Sequence, residues 1–424
     1  MLPAHIAQNI RKQVEYYLQA TFSFRDKQAE KAFSLFINDP ENGMFKGPWF
    51  QLKRPFRPAP ANIKIPLEIH IPFTPFLHQY KSWIRLSSKD RTPQSTIVTT
   101  GTGSGKTECF LYPILDHCLR EKKKGQNGIK AIILYPMNAL ASDQEKRFAE
   151  TVLTDPDLTA AGIRIGNYTG RYNPSDPGGA KESGTQSMDG QGNIFHGISN
   201  HRVLQEFPPD ILLTNYRMLD FLLMRPQDQE LWRFNTPGIL KYLVLDELHT
   251  YDGAQGADVA CLIRRLKEKL EIPKGELCVV GTSATLDENK GGRALRTTDG
   301  SADAMETGQD KLASFAKILF EEEINAEAVI GEERLEVEDI VKSELFPVNV
   351  PDVSVCLAKE DEDSVSYAMR QSAAWGGPHF SGDATDKKDL VDFKLRLGDW
   401  LKGTKFFKDL LGIFKIAGMS ERIC

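Results

Sequence analysis

Apolar and polar positions change rhythm three times along the chain. Over residues 6–37 the apolar side chains fall at helical spacing, with Ile6, Ile10, Val14 and Leu18, then Ala32, Leu35 and Phe36. Residues 43–75 lose that spacing. Pro and aromatic residues recur there among short alternating stretches such as Ile63, Ile65, Leu67 and Ile69, which predicts an irregular, partly extended segment packed on the domain that follows. From about residue 95 to 286 short apolar runs alternate with amphipathic stretches. The runs are 95–100, 130–136, 163–168, 209–215, 240–247 and 276–283, with helical patterns such as 106–120 and 255–270 between them. Several runs are continuously apolar, as expected of parallel strands covered on both faces. Alternation of this kind predicts an α/β sheet with helices on both sides.

Polar, Gly-rich stretches at 171–200 and 287–310 interrupt this rhythm and read as surface loops. Beyond them, 311–321 and 388–416 have helical spacing around an acidic, irregular middle. The expected organisation is an N-terminal accessory segment at 1–72, the α/β domain at 73–290 and a helical region at 291–424.

With 41% apolar and 26% charged residues the 424-residue chain is ordinary globular material, so wholesale disorder is excluded. Its longest apolar runs, such as 131–135, are too short to cross a bilayer as a helix, and the N-terminus lacks a secretory pattern; the expected location is the cytoplasm. Cysteines 109, 118, 261, 278, 356 and 424 form no CxxC pair, so neither a zinc site nor a disulfide framework is suggested. The net charge of −5 divides unevenly: +7 over residues 1–100, −3 over 101–290 and −9 over 291–424. A basic leading segment on an acidic chain can hold a polyanion locally, or it is simply a solvated surface.

Chemistry concentrates in TTGTGSGKTE at 99–108, between an apolar strand and an amphipathic helix. There the loop residues Gly101, Thr102, Gly103, Ser104 and Gly105 let backbone N–H groups converge on phosphate oxygens at a helix N-terminus. Lys106 would reach the β- and γ-phosphates, and the Thr107 hydroxyl would ligate Mg²⁺. The strict pattern places Gly five positions before Gly105; this chain has Thr100. A second site segment is LKYLVLDELHTY, whose apolar run ends in Asp246 and Glu247 where ligands of such sheets bind. Asp246 is the candidate Mg²⁺ partner and Glu247 the candidate base that activates water. A pair of acids capping a helix after a buried strand is the plainer alternative.

Together these segments resemble superfamily 2 DExH-box helicases. DELH and GTSATL (281–286) are similar to motifs II and III, TTGTGSGKTE to motif I, YPMNALASDQ (135–144) to motif Ia, and TNYRMLD (214–220) to the strand-holding segment after it. Gln79, 27 residues before Lys106, looks like an adenine-reading glutamine, and DELHTYDGAQGADVA is most similar to large bacterial Lhr-like and mitomycin-repair-factor-like DNA helicases. The resemblance implies a RecA-like P-loop NTPase fold, ATP and Mg²⁺ as cofactors and nucleic acid, DNA before RNA, as partner. It implies further that Ser283, Ala284 and Thr285 couple hydrolysis to strand movement and that His249 links the nucleotide site to them. Pro136, Asn138, Ala139, Thr169, Gly170, Thr214 and Asn215 would line the nucleic-acid groove, although Pro136 and Asn215 also suit ordinary strand ends.

Such helicases carry a second RecA-like domain with an arginine finger. After Arg334 this chain has only Arg370, Arg396 and Arg422, each isolated, and no second strand-rich pattern. The expectation is therefore the front part of a longer or split ATP-dependent helicase, weak or inactive without its second domain. The rival is a non-catalytic module that binds ATP and a partner without hydrolysis.

Overall fold

The computed structural model describes residues 3–39, 42–45, 54–101, 103–169, 187–188, 194–195, 201–251, 253–283, 308–356, 359, 362–376 and 387–416. The chain divides into two compact units, one of Phe56–Glu333 and one of Met1–Pro55 with Arg334–Cys424.

In the Phe56–Glu333 unit the strands are β1 (Thr96–Thr99), β2 (Ala131–Leu134), β3 (Ile165–Tyr168), β6 (Ile211–Thr214), β7 (Tyr242–Leu245), β8 (Cys278–Ser283) and β9 (Val329–Gly331). They form one parallel sheet in the order β3-β6-β2-β7-β8-β1-β9. The remaining strands, β4 (Ser187–Met188) and β5 (Ile194–Phe195), make a small antiparallel pair. The expected α/β sheet is present, and six of its strands fall within the apolar runs.

Both faces of the sheet are covered, which is why its strands read as continuous apolar runs. On β7, Tyr242 and Val244 join a cluster with Trp83 of α3 (Leu77–Leu86), Phe110 and Leu115 of α4 (Lys106–Lys123), and Phe148 of α5 (Asn138–Thr154). Leu243 and Leu245 point the other way. They pack with Leu219 and Leu222 of α8 (Tyr216–Met224), Leu262 and Ile263 of α9 (Gly253–Lys269) and Phe320 of α10 (Gly308–Phe320). Two short helices, α6 (Pro156–Ala160) and α7 (His201–Glu206), complete this unit.

This unit takes in residues on either side of the 73–290 span expected for the α/β domain. Upstream, Pro58 bridges to Phe76 and the Ala59 N–H donates to the Pro75 carbonyl at 2.9 Å. Leu67 and Ile69 enter the α3–α4 core, and the buried Asp116 carboxylate accepts the Glu68 and Ile69 N–H groups at 2.6 and 3.2 Å. Downstream, β9 pairs with β1. Its apolar run is three residues long and follows a polar stretch, so periodicity gives it no signal.

Because every strand of the sheet runs the same way, the loops after β1, β2, β3, β6 and β7 gather at one edge. From β1 the chain crosses one way, past β8 and β7 to β2, and from the neighbouring β8 it crosses the other way, past β1 to β9; where adjacent strands lead off in opposite directions a crevice opens for ligands.

In the other unit, α1 (Pro3–Thr21) and α2 (Lys27–Asn38) are joined by Arg11 and Glu15, which both bond Asn38, at 2.9 and 2.7 Å. Its remaining helices are α11 (Val337–Ile340), α12 (Val353–Cys356), α13 (Ser364–Gly376), α14 (Lys387–Lys402) and α15 (Lys405–Ile416). Few of its described side chains are fully buried; Phe393 and Leu411 are among them. Among the described residues no helix is long and apolar enough to cross a membrane.

Candidate nucleotide and nucleic-acid site

The loop leaving β1 turns through two left-handed glycines, Gly103 at φ 76° and Gly105 at φ 74°. L side chains rarely adopt that conformation, so these positions favour glycine. At Gly105 a Cβ would also lie 2.3 Å from Nε2 of Gln79, so that side chain would have to leave its place against the loop. Thr100, where the strict pattern has glycine, is fully buried, and its hydroxyl oxygen accepts the Ser104 hydroxyl at 2.7 Å. The departure from the pattern thus closes the loop on itself.

Two residues of α3 hold the loop from outside. His78 Nε2–H donates to the Ser104 carbonyl at 2.8 Å. Gln79, only 3% exposed, accepts the Phe76 N–H through Oε1 at 2.9 Å and donates through Nε2 to the Gly105 carbonyl at 3.2 Å. Gln79 therefore joins the start of α3 to the phosphate-type loop. Sequence reading missed His78, and only its neighbourhood to Gln79 could have suggested it.

Lys106 and Thr107 open α4 directly after this loop. Lys106 Nζ lies 3.3 Å from Oε1 of Glu247, and His249 Nδ1 lies 3.3 Å from the other oxygen of that carboxylate. Glu247 stands at φ 54°, a left-handed conformation that costs a non-glycine residue on the order of 1–3 kcal/mol. The turn is held by hydrogen bonds: the Glu247 carbonyl accepts the Thr250 N–H and hydroxyl, both at 2.8 Å, and its N–H donates to Thr282 Oγ1 at 3.1 Å.

Asp246 extends the β2–β7 ladder, its N–H donating to the Leu134 carbonyl at 3.0 Å. Its carboxylate accepts the Thr282 hydroxyl. Burial pushes the Asp246 carboxyl above its ordinary range and the Glu247 charge adds to that, while the Thr282 bond and Lys106 oppose it. Thr282 therefore joins both acids, yet sequence reading passed over it. The one available signal was a hydroxyl residue inside a buried strand, just before Ser283. Ser283 itself ends β8 in register with Thr99 and is buried. Thr102, Gly170, Ala284 and Thr285 lie outside the described residues.

The remaining candidates sit on the other half of the same edge, after β2, β6 and β3. Pro136 follows β2, and Asn138 and Ala139 begin α5. Asn215 caps α8 by accepting the Met218 N–H at 2.8 Å, and its Nδ2 donates to Asn138 Oδ1 at 2.7 Å. The Thr214 hydroxyl donates to the Tyr168 carbonyl at 2.6 Å, one residue before Thr169. These residues form a polar line across three neighbouring strand ends.

Chemically, this edge offers backbone N–H groups and a helix N-terminus for an anion, a lysine, and two carboxylates. Among the described residues no three His, Cys, Asp or Glu side chains gather to enclose a metal by themselves. A Mg²⁺ ion uses few protein ligands and shares its shell with phosphates and water, so Asp246 with Thr107 is a donor set of the right kind.

A parallel sheet in this strand order, with a Gly-rich loop and lysine after β1 and an acidic pair after β7, is the RecA-like fold of P-loop nucleoside triphosphatases. The family model for DEAD/DEAH box helicases matches residues 78–176 and 180–291, and the chain belongs to that family, whose members use ATP. Relatives include Druantia protein DruE of Escherichia coli, 26% identical over 77% of this chain and 23% of that protein. The uncharacterized ATP-dependent helicase YprA of Bacillus subtilis is 27% identical over 53% of this chain and 25% of that protein. The crystal structure of the DUF1998 helicase MrfA bound to DNA and AMPPNP shares 23% identity over 66% of this chain and 30% of that one, with a TM-score of 0.41. The chain spans about a quarter of the length of the two curated relatives.

Proposed function

We propose that this chain is the ATP-binding motor domain of an ATP-dependent DNA helicase or translocase, working in the cytoplasm with a second RecA-like domain. The observation that carries the reading is that Lys106, directly after the loop, pairs with Glu247, which also meets His249 and adjoins the Thr282-bonded Asp246 at the same sheet edge. In this reading the amides of the loop and Lys106 grip the phosphates, while Gln79 sets the loop against α3 and contributes to recognition of adenine. Thr107 and Asp246 hold Mg²⁺, which when bound neutralises phosphate charge during transfer. Lys106, now paired with Glu247, gains a phosphate as a competing anion. Glu247 is then released to accept the proton of an attacking water. His249 holds the other carboxylate oxygen and, with Ser283, Ala284 and Thr285, relays hydrolysis to the groove.

Pro136, Asn138, Ala139, Thr169, Gly170, Thr214 and Asn215 would grip the strand backbone without reading bases. DNA is favoured by the resemblance of DELHTYDGAQGADVA to bacterial DNA helicases. The second domain is required because phosphoryl transfer needs charge stabilisation on the far side of the γ-phosphate, a contribution of roughly 10³–10⁵ in rate where an arginine supplies it.

Single-turnover hydrolysis tests this reading. The chain alone should bind ATP but turn it over slowly. A protein carrying the second domain should accelerate it, and Glu247→Gln should abolish that gain while keeping nucleotide binding. Binding without turnover even in the presence of the second domain and single-stranded DNA would instead favour a non-catalytic ATP-gated module.

A further inference from the structure

A carboxylate occupies one of the amides of the phosphate-type loop. The Gly101 N–H donates to Oε2 of Glu332 at 2.8 Å, a contact across 231 positions of sequence. Strand β9 delivers it: its register sets Gly331 beside Thr99, and Glu332 follows directly. The Thr99 hydroxyl adds a longer bond to the Ile330 carbonyl at 3.4 Å. One residue on, the Glu333 carbonyl accepts the Arg57 N–H at 2.8 Å and its side chain pairs with Lys81 on α3, the helix that holds the loop through His78 and Gln79. The two residues after β9, Glu332 and Glu333, thus reach both the loop and the helix that holds it.

An amide that donates to Glu332 is not at the same time fully available to a phosphate oxygen, and the two acceptors carry charge of the same sign. We propose that Glu332 is a competing anion for the phosphate loop. Its carboxylate satisfies Gly101 when no nucleotide is bound and opposes the polyphosphate, so Glu332 sets nucleotide affinity. The inference rests on the reading of the loop as a nucleotide site. It predicts a sign opposite to that of a residue that merely supports the loop, whose loss would weaken binding.

Calorimetry with ATP·Mg²⁺, inorganic tripolyphosphate and adenosine decides the matter on the 424-residue chain, its Lys106→Ala control, Glu332→Gln and Glu332→Ala. Glu332→Gln keeps the size and an acceptor for Gly101, and thermal melting checks that each variant folds. Both Glu332 variants should bind ATP and tripolyphosphate roughly two- to fivefold more tightly than wild type, the range of one partly exposed charge contact. That gain should shrink as salt rises, and adenosine binding should not change. Unchanged or weaker polyphosphate binding in a folded Glu332→Gln, with wild type binding normally and Lys106→Ala failing to bind, would overturn the role of Glu332 alone. No polyphosphate binding by wild type would overturn the reading of the site and this inference with it.

Discussion

At Thr282 a single hydroxyl accepts the Glu247 N–H and donates to the Asp246 carboxylate. Thr282→Val keeps the shape and removes both bonds. A hydrogen bond to a charged group is worth about 1.5–3 kcal/mol, so Mg²⁺-dependent ATP affinity should fall by roughly ten- to a hundredfold. The pH dependence has a definite sign. Asp246 is already raised by burial and the Thr282 bond lowers it, so the variant raises it further. Metal binding needs the ionised carboxylate, and the deficit should therefore shrink as pH rises. Titrations at several pH values check this, and a pH-independent deficit would contradict it. Thr282 also marks what the sequence leaves unread. The loop glycines, Lys106 and the Asp246–Glu247 pair were legible because their chemistry is local in the chain. Thr282 acts across 36 positions on Asp246, and Glu332 across 231 on Gly101, through strand neighbours that spacing does not record.

Among the elements, the edge of the sheet opposite the candidate site is held by charge. Lys130, 1% exposed just before β2, donates to Asp210 Oδ1 at 2.8 Å, and Lys122 of α4 lies 3.3 Å from the same oxygen. The Arg164 N–H donates to Asp210 Oδ2 at 2.9 Å. Asp210→Ala leaves a buried lysine without its carboxylate and should cost about 3–5 kcal/mol in urea denaturation. A loss below about 1 kcal/mol would show that water enters this edge and solvates Lys130. Strand positions were legible for the reason their interior is dry: both faces are covered, so the apolar run is continuous. Strand β9 was not, since Val329–Gly331 is too short for a period and its place beside β1 is a tertiary fact.

Across the whole sheet, the parallel arrangement sets Lys106, Asp246 and Glu247 on the β1–β8–β7 half of one edge and Asn138, Thr214 and Asn215 on the β2–β6 half. Strand β7 lies next to β2, so the acidic pair stands beside the first residues of the polar line. In the proposed reading that adjacency would relate nucleotide state to a neighbouring grip, and a second domain would supply the relative motion. The central claim is that the loop after β1 binds ATP. Isothermal titration of wild type and Lys106→Ala with ATP·Mg²⁺, after melting curves confirm that both fold, tests it most directly. The expected result is saturable binding by wild type and a large loss in Lys106→Ala; equal affinity in the two proteins would contradict the account.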